Sequence, residues 1–315
     1  MTTTRPAILL LQPMMQQLET GLDEAYEVHR LYRAESRDAL LGEVASQVRG
    51  IVTGGSLGVP HAIMEALPAL EIIAINGIGT DAVNLDRARQ RGIRVTTTPN
   101  VLTDDVADMG MGLLLATLRQ LCTGDRFVRA GQWPTGKMPL ARKVTGKHLG
   151  ILGLGRIGRA IARRAQAFDM PIAYTDVRAF EDVPYRFMPT LQSLAEVSDV
   201  LVVAASGGSG SQGIINERVL NALGPEGILI NVARGSVVDE PALVSALADG
   251  RLGGAGLDVF VDEPRVPDAL WGLNNVVLQP HQASATVETR LAMGDLVLAN
   301  LAAHFAGQPV PTPAV

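Results

Sequence analysis

One stretch near the middle of the chain constrains its fold more than any other, because it reads as a strand, a glycine turn and a helix in direct succession. The apolar run 148–152 leads into the turn Gly-Leu-Gly-Arg-Ile-Gly at 153–158, and a helical pattern follows over 159–168. This order is the context in which G-x-G-x-x-G spacing carries information. It predicts a βα unit of the kind that binds a dinucleotide.

Each of the three glycines in this turn is needed for a different physical reason. Gly153 permits the tight turn, Gly155 lets a pyrophosphate approach the backbone, and Gly158 lets the helix pack closely on the strand. The helix N-terminus offers N–H groups and a positive dipole end to the phosphates. Asp176 ends a second apolar run, where a carboxylate can accept hydrogen bonds from the ribose hydroxyls of NAD. Together these residues predict a dinucleotide site.

Composition narrows the class of protein. A chain of 315 residues makes about two domains of ordinary size, and 47% hydrophobic residues are ample for two cores. A net charge of −5 without a basic run argues against a nucleic-acid partner. The single cysteine, Cys122, excludes an internal disulfide and a multi-cysteine zinc site, and no His, Asp or Glu spacing resembles a metal site. We find no signal-peptide pattern and no bilayer-spanning run, so we expect a soluble cytoplasmic protein.

The chain alternates strand and helix patterns on both sides of one interruption. Strand patterns at 7–12, 26–32, 50–53, 70–75 and 93–98 precede the interruption, and others at 199–206, 227–233, 254–259 and 275–279 follow the glycine turn. This alternation predicts α/β architecture with parallel sheets and helices on both faces. The interruption begins at Pro99. Residues 102–130 read as one long helix with Thr103 at its start, and 131–146, which carry Trp133, have no clean period and suit an arm on a partner subunit.

Three polar residues at predicted strand ends could carry chemistry. Arg234 follows the strand 228–233, where a guanidinium is costly unless it meets an anion. An internal salt bridge is one interpretation, and a clamp on a substrate carboxylate is the other. His281 follows the last strand, and Glu263 lies in the loop after the strand that ends near Asp258. A histidine is a usual proton donor in carbonyl reduction, and a carboxylate beside it favours the imidazolium and orients the ring.

The chain resembles the D-isomer-specific 2-hydroxyacid dehydrogenases over nearly its whole length. The resemblance rests on the glycine turn and on more specific blocks at 229–240, 256–264 and 279–286, whose sequences are LINVARGSVVDE, GLDVFVDEP and QPHQASAT. The block LTDDVAD at 102–108 is similar to the glyoxylate/hydroxypyruvate and hydroxyphenylpyruvate reductase branch. This resemblance implies a Rossmann nucleotide-binding domain, 99–286, inserted into a flavodoxin-like substrate-binding domain formed by 1–98 plus 287–315.

The resemblance also implies roles for individual residues. His281 would be the acid/base, Glu263 its partner and Arg234 the substrate clamp. Gly54 and Gly55 fall where the family holds the substrate carboxylate with loop N–H groups. Trp133 would lie on a homodimer arm, and in some relatives it reaches the partner's active site. The residues implied along the cofactor are Arg156 and Ile157 at the pyrophosphate, Ser206 and Ser211 in the cofactor groove, and Asp258 near the nicotinamide carboxamide.

Two departures from the family pattern bear on the cofactor. Ser206 stands where many relatives have proline, and Val177 stands where NADP-dependent reductases of this branch often have arginine. The Asp176 carboxylate would repel a 2′-phosphate, so the sequence favours NAD(H). NADP(H) stays open because Arg178 could turn toward a phosphate.

The sequence therefore predicts an oxidoreductase that reduces a small 2-oxo acid, such as glyoxylate or hydroxypyruvate, to the D-2-hydroxy acid. Two alternatives remain at this point. The first is an NAD-sensing binding protein, since corepressors that resemble this family keep similar catalytic residues. The second is a formate or phosphite dehydrogenase of the same fold.

Overall fold

The structure, a computed structural model, describes residues 5–315, and these form two compact units. The first unit contains the described residues up to Leu102 together with Ala285–Val315, and the second contains Thr103–Ser284. The second unit is therefore inserted into the chain of the first. The units divide at 102/103 and 284/285, whereas the predicted boundaries are 98/99 and 286/287.

The first unit is built on a sheet of five parallel strands in the order β2-β1-β3-β4-β5. This is the flavodoxin-like order, in which the order of the strands along the sheet reverses between β1 and β3. Its strands are β1 (Ala7–Leu10), β2 (Glu27–Arg30), β3 (Val48–Gly54), β4 (Ile72–Asn76) and β5 (Arg94–Thr96), and its helices are α1 (Gln16–Ala25), α2 (Arg37–Val44), α3 (His61–Ala66), α4 (Leu85–Gln90) and the C-terminal α11 (Val287–Phe305).

The second unit is built on a sheet of seven parallel strands in the order β12-β11-β10-β9-β6-β7-β8. Counted within the unit, the order is 3-2-1 followed by 4-5-6-7, which is the Rossmann order with one added strand. Its strands are β6 (Leu149–Leu152), β7 (Ile172–Thr175), β8 (Arg186–Phe187), β9 (Val200–Val203), β10 (Ile228–Asn231), β11 (Gly254–Leu257) and β12 (Val276–Leu278), and its helices are α5 (Thr103–Leu118), α6 (Leu121–Arg129), α7 (Arg156–Gln166), α8 (Leu191–Glu196), α9 (Glu217–Leu223) and α10 (Glu240–Ala248). The predicted fold class is confirmed.

Several helices begin at a short polar side chain that caps them. Asn84 and Asn216 accept hydrogen bonds from the third N–H of α4 and α9, and Asp239 and Thr286 do the same for α10 and α11. Such caps pair donors that have no partner inside the helix. The strands that they connect are buried on both faces, as parallel strands between helix layers are.

The prediction of one long helix over 102–130 is wrong. The backbone of Gln120 is left-handed, with φ of 54°, and this residue separates α5 from α6. The N–H of Arg142 donates to the carbonyl of Leu118 at 2.9 Å, which pairs the end of α5 with the segment beyond α6. The helix α5 is buried against β10 and β11, whereas α6 buries no residue and lies on the surface of the unit.

Two elements were not predicted from the sequence. The strand β8 and the helix α8 lie in residues 186–196, where polar residues hide the pattern. Within residues 5–315, no helix combines the length and the apolar character needed to cross a bilayer.

Candidate active site

The glycine turn connects β6 to α7, as the sequence predicts. Gly153 has φ of 89°, and a Cβ built on it would lie 2.7 Å from the backbone of Ala205. A Cβ on Gly158 would lie 2.1 Å from the carbonyl oxygen of Gly153. Gly155, at the N-cap of α7, has open space where its Cβ would be. The turn is therefore closed on the protein side and open in front of the helix N-terminus, which suits an approaching pyrophosphate.

Asp176 lies at the end of β7, beside this turn. Its Oδ2 accepts the N–H of Leu154 at 2.7 Å, and its Oδ1 accepts the N–H of Val177 at 2.7 Å. These bonds fix the direction of the carboxylate, and each oxygen keeps a further lone pair for a ribose hydroxyl. Val177 is 98% exposed, so this position carries neither a cation nor a packed side chain. Arg178 lies over the ring of Phe180, with 5.6 Å from Cζ to the centroid.

The serines expected along the cofactor lie in one loop after β9. The hydroxyl of Ser211 donates to the carbonyl of Ser206 at 2.8 Å, and its N–H donates to Gly208 at 3.1 Å. The loop is thus closed on itself by these two hydrogen bonds. Ser206 is exposed, whereas Ser211 is partly buried.

Arg234 follows β10 in a turn that its neighbours hold. The Nδ2 of Asn231 donates to the carbonyl of Arg234 at 3.0 Å, and the Nη1 of Arg234 donates to the carbonyl of Ala233 at 2.7 Å. Gly235 lies against the next loop, since a Cβ on it would be 1.9 Å from the carbonyl carbon of Phe260. The absence of a side chain at Gly235 therefore brings the Arg234 turn against the loop that carries Glu263.

His281 lies just after β12 with φ of 54°, and Asp258 holds it there. The N–H of His281 donates to the carbonyl of Asp258 at 2.8 Å. The carboxylate of Asp258 accepts the N–H of Gln282 at 2.7 Å and that of Ala283 at 3.0 Å. Asp258 is fully buried, and this burial raises the pKa of its carboxyl, although the two N–H groups act in the opposite direction. Asp258 therefore positions the histidine loop.

His281 and Glu263 meet directly. The Nδ1 of His281 lies 2.7 Å from the Oε2 of Glu263. Since a carboxylate only accepts, Nδ1 carries the proton in this bond, and Nε2 is the nitrogen on the opposite side of the ring. The Oε1 of Glu263 accepts the N–H of Phe260 at 3.1 Å, which orients the carboxylate.

Opposing effects act on the ionisation of Glu263. Burial by itself raises the pKa of its carboxyl. The hydrogen bond and charge of His281, the N–H of Phe260 and the charge of Arg234 outweigh burial, so the pKa lies below the ordinary value of 4.5. The carboxylate of Glu263 is therefore ionised near neutral pH and accepts the hydrogen bond from the imidazole.

Four predicted site residues remain. Two of them, Gly54 and Gly55, lie in the first unit at the end of β3. A Cβ on Gly54 would be 2.7 Å from the Nε2 of Gln12, and one on Gly55 would be 3.4 Å from the backbone of Gly79. Within this unit, the glycine loop is therefore packed between two other chain segments. Arg156 and Ile157 form the first turn of α7 in the second unit, with Arg156 exposed.

The sequence did not single out two supporting features. One is Gly235, whose lack of a side chain permits the contact between the two loops. The other is the pair of N–H groups at Gln282 and Ala283, which Asp258 accepts. The sequence signal for these N–H groups was Asp258, an acid at the end of an apolar strand pattern. A carboxylate buried there requires hydrogen-bond donors.

A dinucleotide turn, an imidazole paired with a carboxylate and an arginine at strand ends of one parallel sheet define the class of nicotinamide-dependent oxidoreductases. Comparison with known proteins places the chain within this class. Residues 111–283 match the family model described as D-isomer specific 2-hydroxyacid dehydrogenase, NAD binding domain.

Individual relatives agree with the family model. The 2-ketogluconate reductase of Gluconobacter oxydans is 48% identical over 99% of this chain and 100% of its own length. Glyoxylate/hydroxypyruvate reductase A of Arabidopsis thaliana is 47% identical over 98% of this chain and 98% of its own length.

A solved structure shows the same similarity. The NADPH-dependent glyoxylate/hydroxypyruvate reductase of Sinorhizobium meliloti, in complex with NADP and malonate, has a TM-score of 0.93 at 46% identity. The comparison covers 99% of this chain and 97% of that one. The chain therefore belongs to the D-isomer-specific 2-hydroxyacid dehydrogenase family, and the predicted family is confirmed.

The ion pair of Glu263 predicts a pH dependence of stability. Because the pKa of Glu263 is lowered in the folded state, the contribution is present above the ordinary value of 4.5 and is lost as pH falls through the folded pKa. One charge-assisted hydrogen bond contributes about 1.5 kcal/mol, which corresponds to about 3–6 °C for a unit of this size. We expect the unfolding temperature of the Glu263→Gln variant to lie below that of wild type by this amount at pH 6. The difference should be smaller at pH 3, because the contribution decreases as pH falls below 4.5 toward the folded pKa.

Thermal unfolding of both proteins by circular dichroism at the two pH values provides the measurement. Asp262→Asn is the matched control, because Asp262 is an exposed neighbour paired with Arg265. A deficit for Glu263→Gln of equal size at both pH values would contradict the ionic origin.

Proposed function

We propose that this chain reduces a small 2-oxo acid, of the glyoxylate or hydroxypyruvate kind, to the corresponding D-2-hydroxy acid. The observation that carries the proposal is the 2.7 Å hydrogen bond between the Nδ1 of His281 and Glu263, in the same unit as the glycine turn. A paired imidazole of this kind can give a proton to a carbonyl oxygen near neutral pH. The names of the relatives, which include glyoxylate/hydroxypyruvate reductases, support this substrate class.

The residues of the second unit fit a nicotinamide dinucleotide. The open space at Gly155, the N-terminus of α7 and the carboxylate of Asp176 lie along one side of the turn. When bound, the nicotinamide supplies the hydride for C2 of the substrate. Asp258 contributes by holding the backbone of the His281 loop, while Ser206 and Ser211 border the groove in a closed loop.

Residues of this chain orient the substrate and transfer the proton. Arg234 and the N–H groups of Gly54 and Gly55 orient the substrate carboxylate, since a planar guanidinium pairs well with a carboxylate. His281 gives the proton of its Nε2 to the oxygen at C2. Glu263 keeps the ring in place and stabilises its charged form before the transfer.

Removing the imidazole should abolish most of the turnover. We expect His281→Ala to lower kcat with NADH and glyoxylate or hydroxypyruvate by about 10²-fold or more, because it removes the general acid. NADH binding, measured by fluorescence titration, should be retained.

His148→Ala is the matched control. His148 is also beside a carboxylate, Asp199, but it lies just before the amino end of β6. We expect this variant to turn over at the wild-type rate. Activity of His281→Ala within a few-fold of wild type would refute the proposed role.

We further propose that the chain prefers NADH to NADPH. Asp176 places a carboxylate where a 2′-phosphate would lie, and the exposed Val177 supplies no cation. Arg178 lies over Phe180, so its guanidinium has a competing contact. The Sinorhizobium meliloti relative is NADPH-dependent, which shows that this fold accommodates both cofactors.

The double variant Asp176→Ser/Val177→Arg should reverse the preference. It removes the repelling charge and adds a donor for phosphate, so we expect the ratio of kcat/KM with NADH to that with NADPH to fall by about 100-fold. Steady-state rates with both cofactors measure this ratio. The control is Arg178→Ala, which should change the ratio by less than about threefold. Loss of NADPH use in that control would assign the phosphate to Arg178 instead.

We also propose that the chain forms a homodimer and is located in the cytoplasm. The helix α6 buries no residue, and large apolar side chains are exposed on it and on the segment 131–146. Covering such side chains with a second copy of the chain removes apolar surface from water, which favours association. The single cysteine suits a reducing compartment. The exposed residues are Leu121 (55%), Val128 (54%), Trp133 (70%) and Leu140 (96%).

Charges on this surface should separate the subunits. We expect light scattering to give wild type twice the chain mass of 33.3 kDa and Val128→Asp/Leu140→Asp the mass of one chain. Val287→Asp, at an exposed position of the first unit, is the control and should remain dimeric. A wild-type protein with the mass of a single chain would overturn the dimer.

A further inference from the structure

The carboxyl edge of the five-stranded sheet collects several polar groups within the first unit. Gly54 ends β3 and is paired in register with Asn76, which ends β4. Gln12 follows β1 and contacts Gly54. In open α/β sheets, ligands bind at this edge of the strands.

Asn76 has an amide that the described residues do not satisfy. Its Nδ2 reaches only the sulfur of Met14, at 3.5 Å, and sulfur is a weak acceptor. Its Oδ1 is buried and has no donor among residues 5–315. A buried acceptor without a donor costs free energy, and a ligand that supplies a donor recovers it.

Arg290, on α11, is the second unsatisfied group of this unit. It is partly buried, and burial lowers the pKa of its guanidinium. Within the described part of the chain, no carboxylate or carbonyl oxygen pairs with its guanidinium. The other partly buried arginines near this sheet do have partners, as Arg30 with Glu19 and Arg91 with the carbonyl of Leu67 show. A desolvated guanidinium of this kind requires an acceptor.

The packing of α11 places Arg290 level with the carboxyl edge. At its far end, His304 is 3.2 Å from Glu71, just before the amino end of β4. The fourteen residues from 290 to 304 span about 21 Å of helix, and the strand from Glu71 to Asn76 spans about 17 Å. Because α11 packs along β4, Arg290 reaches the height of Asn76.

The contact of α11 with α1 gives the same placement. A Cβ on Gly294 would lie 3.3 Å from Leu18, and a Cβ on Gly21 would lie 2.7 Å from Leu298, so the two helices run in the same direction. One turn before Gly294 is Arg290, and one turn before Leu18 is Met14. Met14 is the residue whose sulfur the amide of Asn76 contacts.

We propose that Asn76 and Arg290 form a subsite that recognises a hydroxyl group on the substrate chain beyond C2, so that the enzyme selects hydroxylated 2-oxo acids such as hydroxypyruvate. A hydroxyl can donate to the Oδ1 of Asn76 and accept from the guanidinium of Arg290 at once. A second carboxylate would satisfy Arg290 but would leave Oδ1 facing another acceptor. A methyl group would satisfy neither residue.

This inference rests on the proposed function, in which Gly54 and Gly55 hold the substrate carboxylate. Asn76 is the sheet neighbour of Gly54, about 4.8 Å away across the strands. A carboxylate bound by the glycine loop therefore leaves the next carbons of a short substrate beside Asn76.

Three substrates that differ only at C3 test the proposal: hydroxypyruvate carries a hydroxyl there, pyruvate a hydrogen and oxaloacetate a carboxylate. We expect wild type to prefer hydroxypyruvate in kcat/KM. In Arg290→Met and in Asn76→Val, the preference for hydroxypyruvate over pyruvate should fall by about 10- to 100-fold, mainly through KM for hydroxypyruvate. Arg94→Met, which removes an exposed arginine of the same unit, is the control and should keep the wild-type preference.

Stability separates a binding role from a structural one. Replacing a partly buried guanidinium without an ion pair by methionine should leave the unfolding temperature equal or higher. A lower unfolding temperature of Arg290→Met together with an unchanged substrate preference would overturn the subsite.

Two further outcomes are distinguishable. A wild-type preference for oxaloacetate that Arg290→Met abolishes would overturn recognition of a hydroxyl in favour of a carboxylate, while the reductase function would stand. No turnover of any 2-oxo acid by wild type would refute the proposed function itself, and the subsite with it.

Discussion

The buried carboxylate of Asp258 is the interaction on which the candidate active site depends. Its burial disfavours the charged form, and the N–H groups of Gln282 and Ala283 offset this cost. These bonds, with that from the N–H of His281 to the Asp258 carbonyl, hold the loop after β12 in a shape that includes a left-handed histidine. The side chain of His281 then reaches Glu263, so the reactive pair follows from backbone constraints at the ends of β11 and β12, which are neighbouring strands of the sheet.

Close backbone approach is the second constraint, and it explains where glycine is required. A side chain has no room at Gly153, which lies against Ala205 just after β9, or at Gly158, where α7 lies against the carbonyl of Gly153. At Gly235 the same condition brings the arginine turn against the Glu263 loop. Gly155 differs, because no described residue lies within 4 Å of the position that a Cβ would take there. The spacing of the glycines therefore combines three packing positions with one position that faces a ligand.

Prediction from the sequence succeeded where the signal was local. The strand, turn and helix around Gly153 are contiguous, and the alternation of apolar runs with helical patterns predicted parallel sheets with helices on both faces. It failed at Gln120, because α5 and α6 share a continuous helical pattern and the break lies in one left-handed residue. It also missed α8, whose start depends on a capping box between Thr190 and Ser193 within a polar stretch. Such features depend on a single backbone angle or hydrogen bond, which hydrophobic periodicity does not report.

The sequence by itself determined the class of fold, the dinucleotide turn and the identity of the polar residues at the strand ends, because these follow from residue order and spacing. Only the tertiary structure decided which of those residues meet. It paired His281 with Glu263, gave Asp258 a supporting role and, among residues 5–315, left the partly buried Arg290 of α11 without a partner. The physical reason is that these contacts join residues far apart in the chain, and their distances depend on how the strands and helices pack.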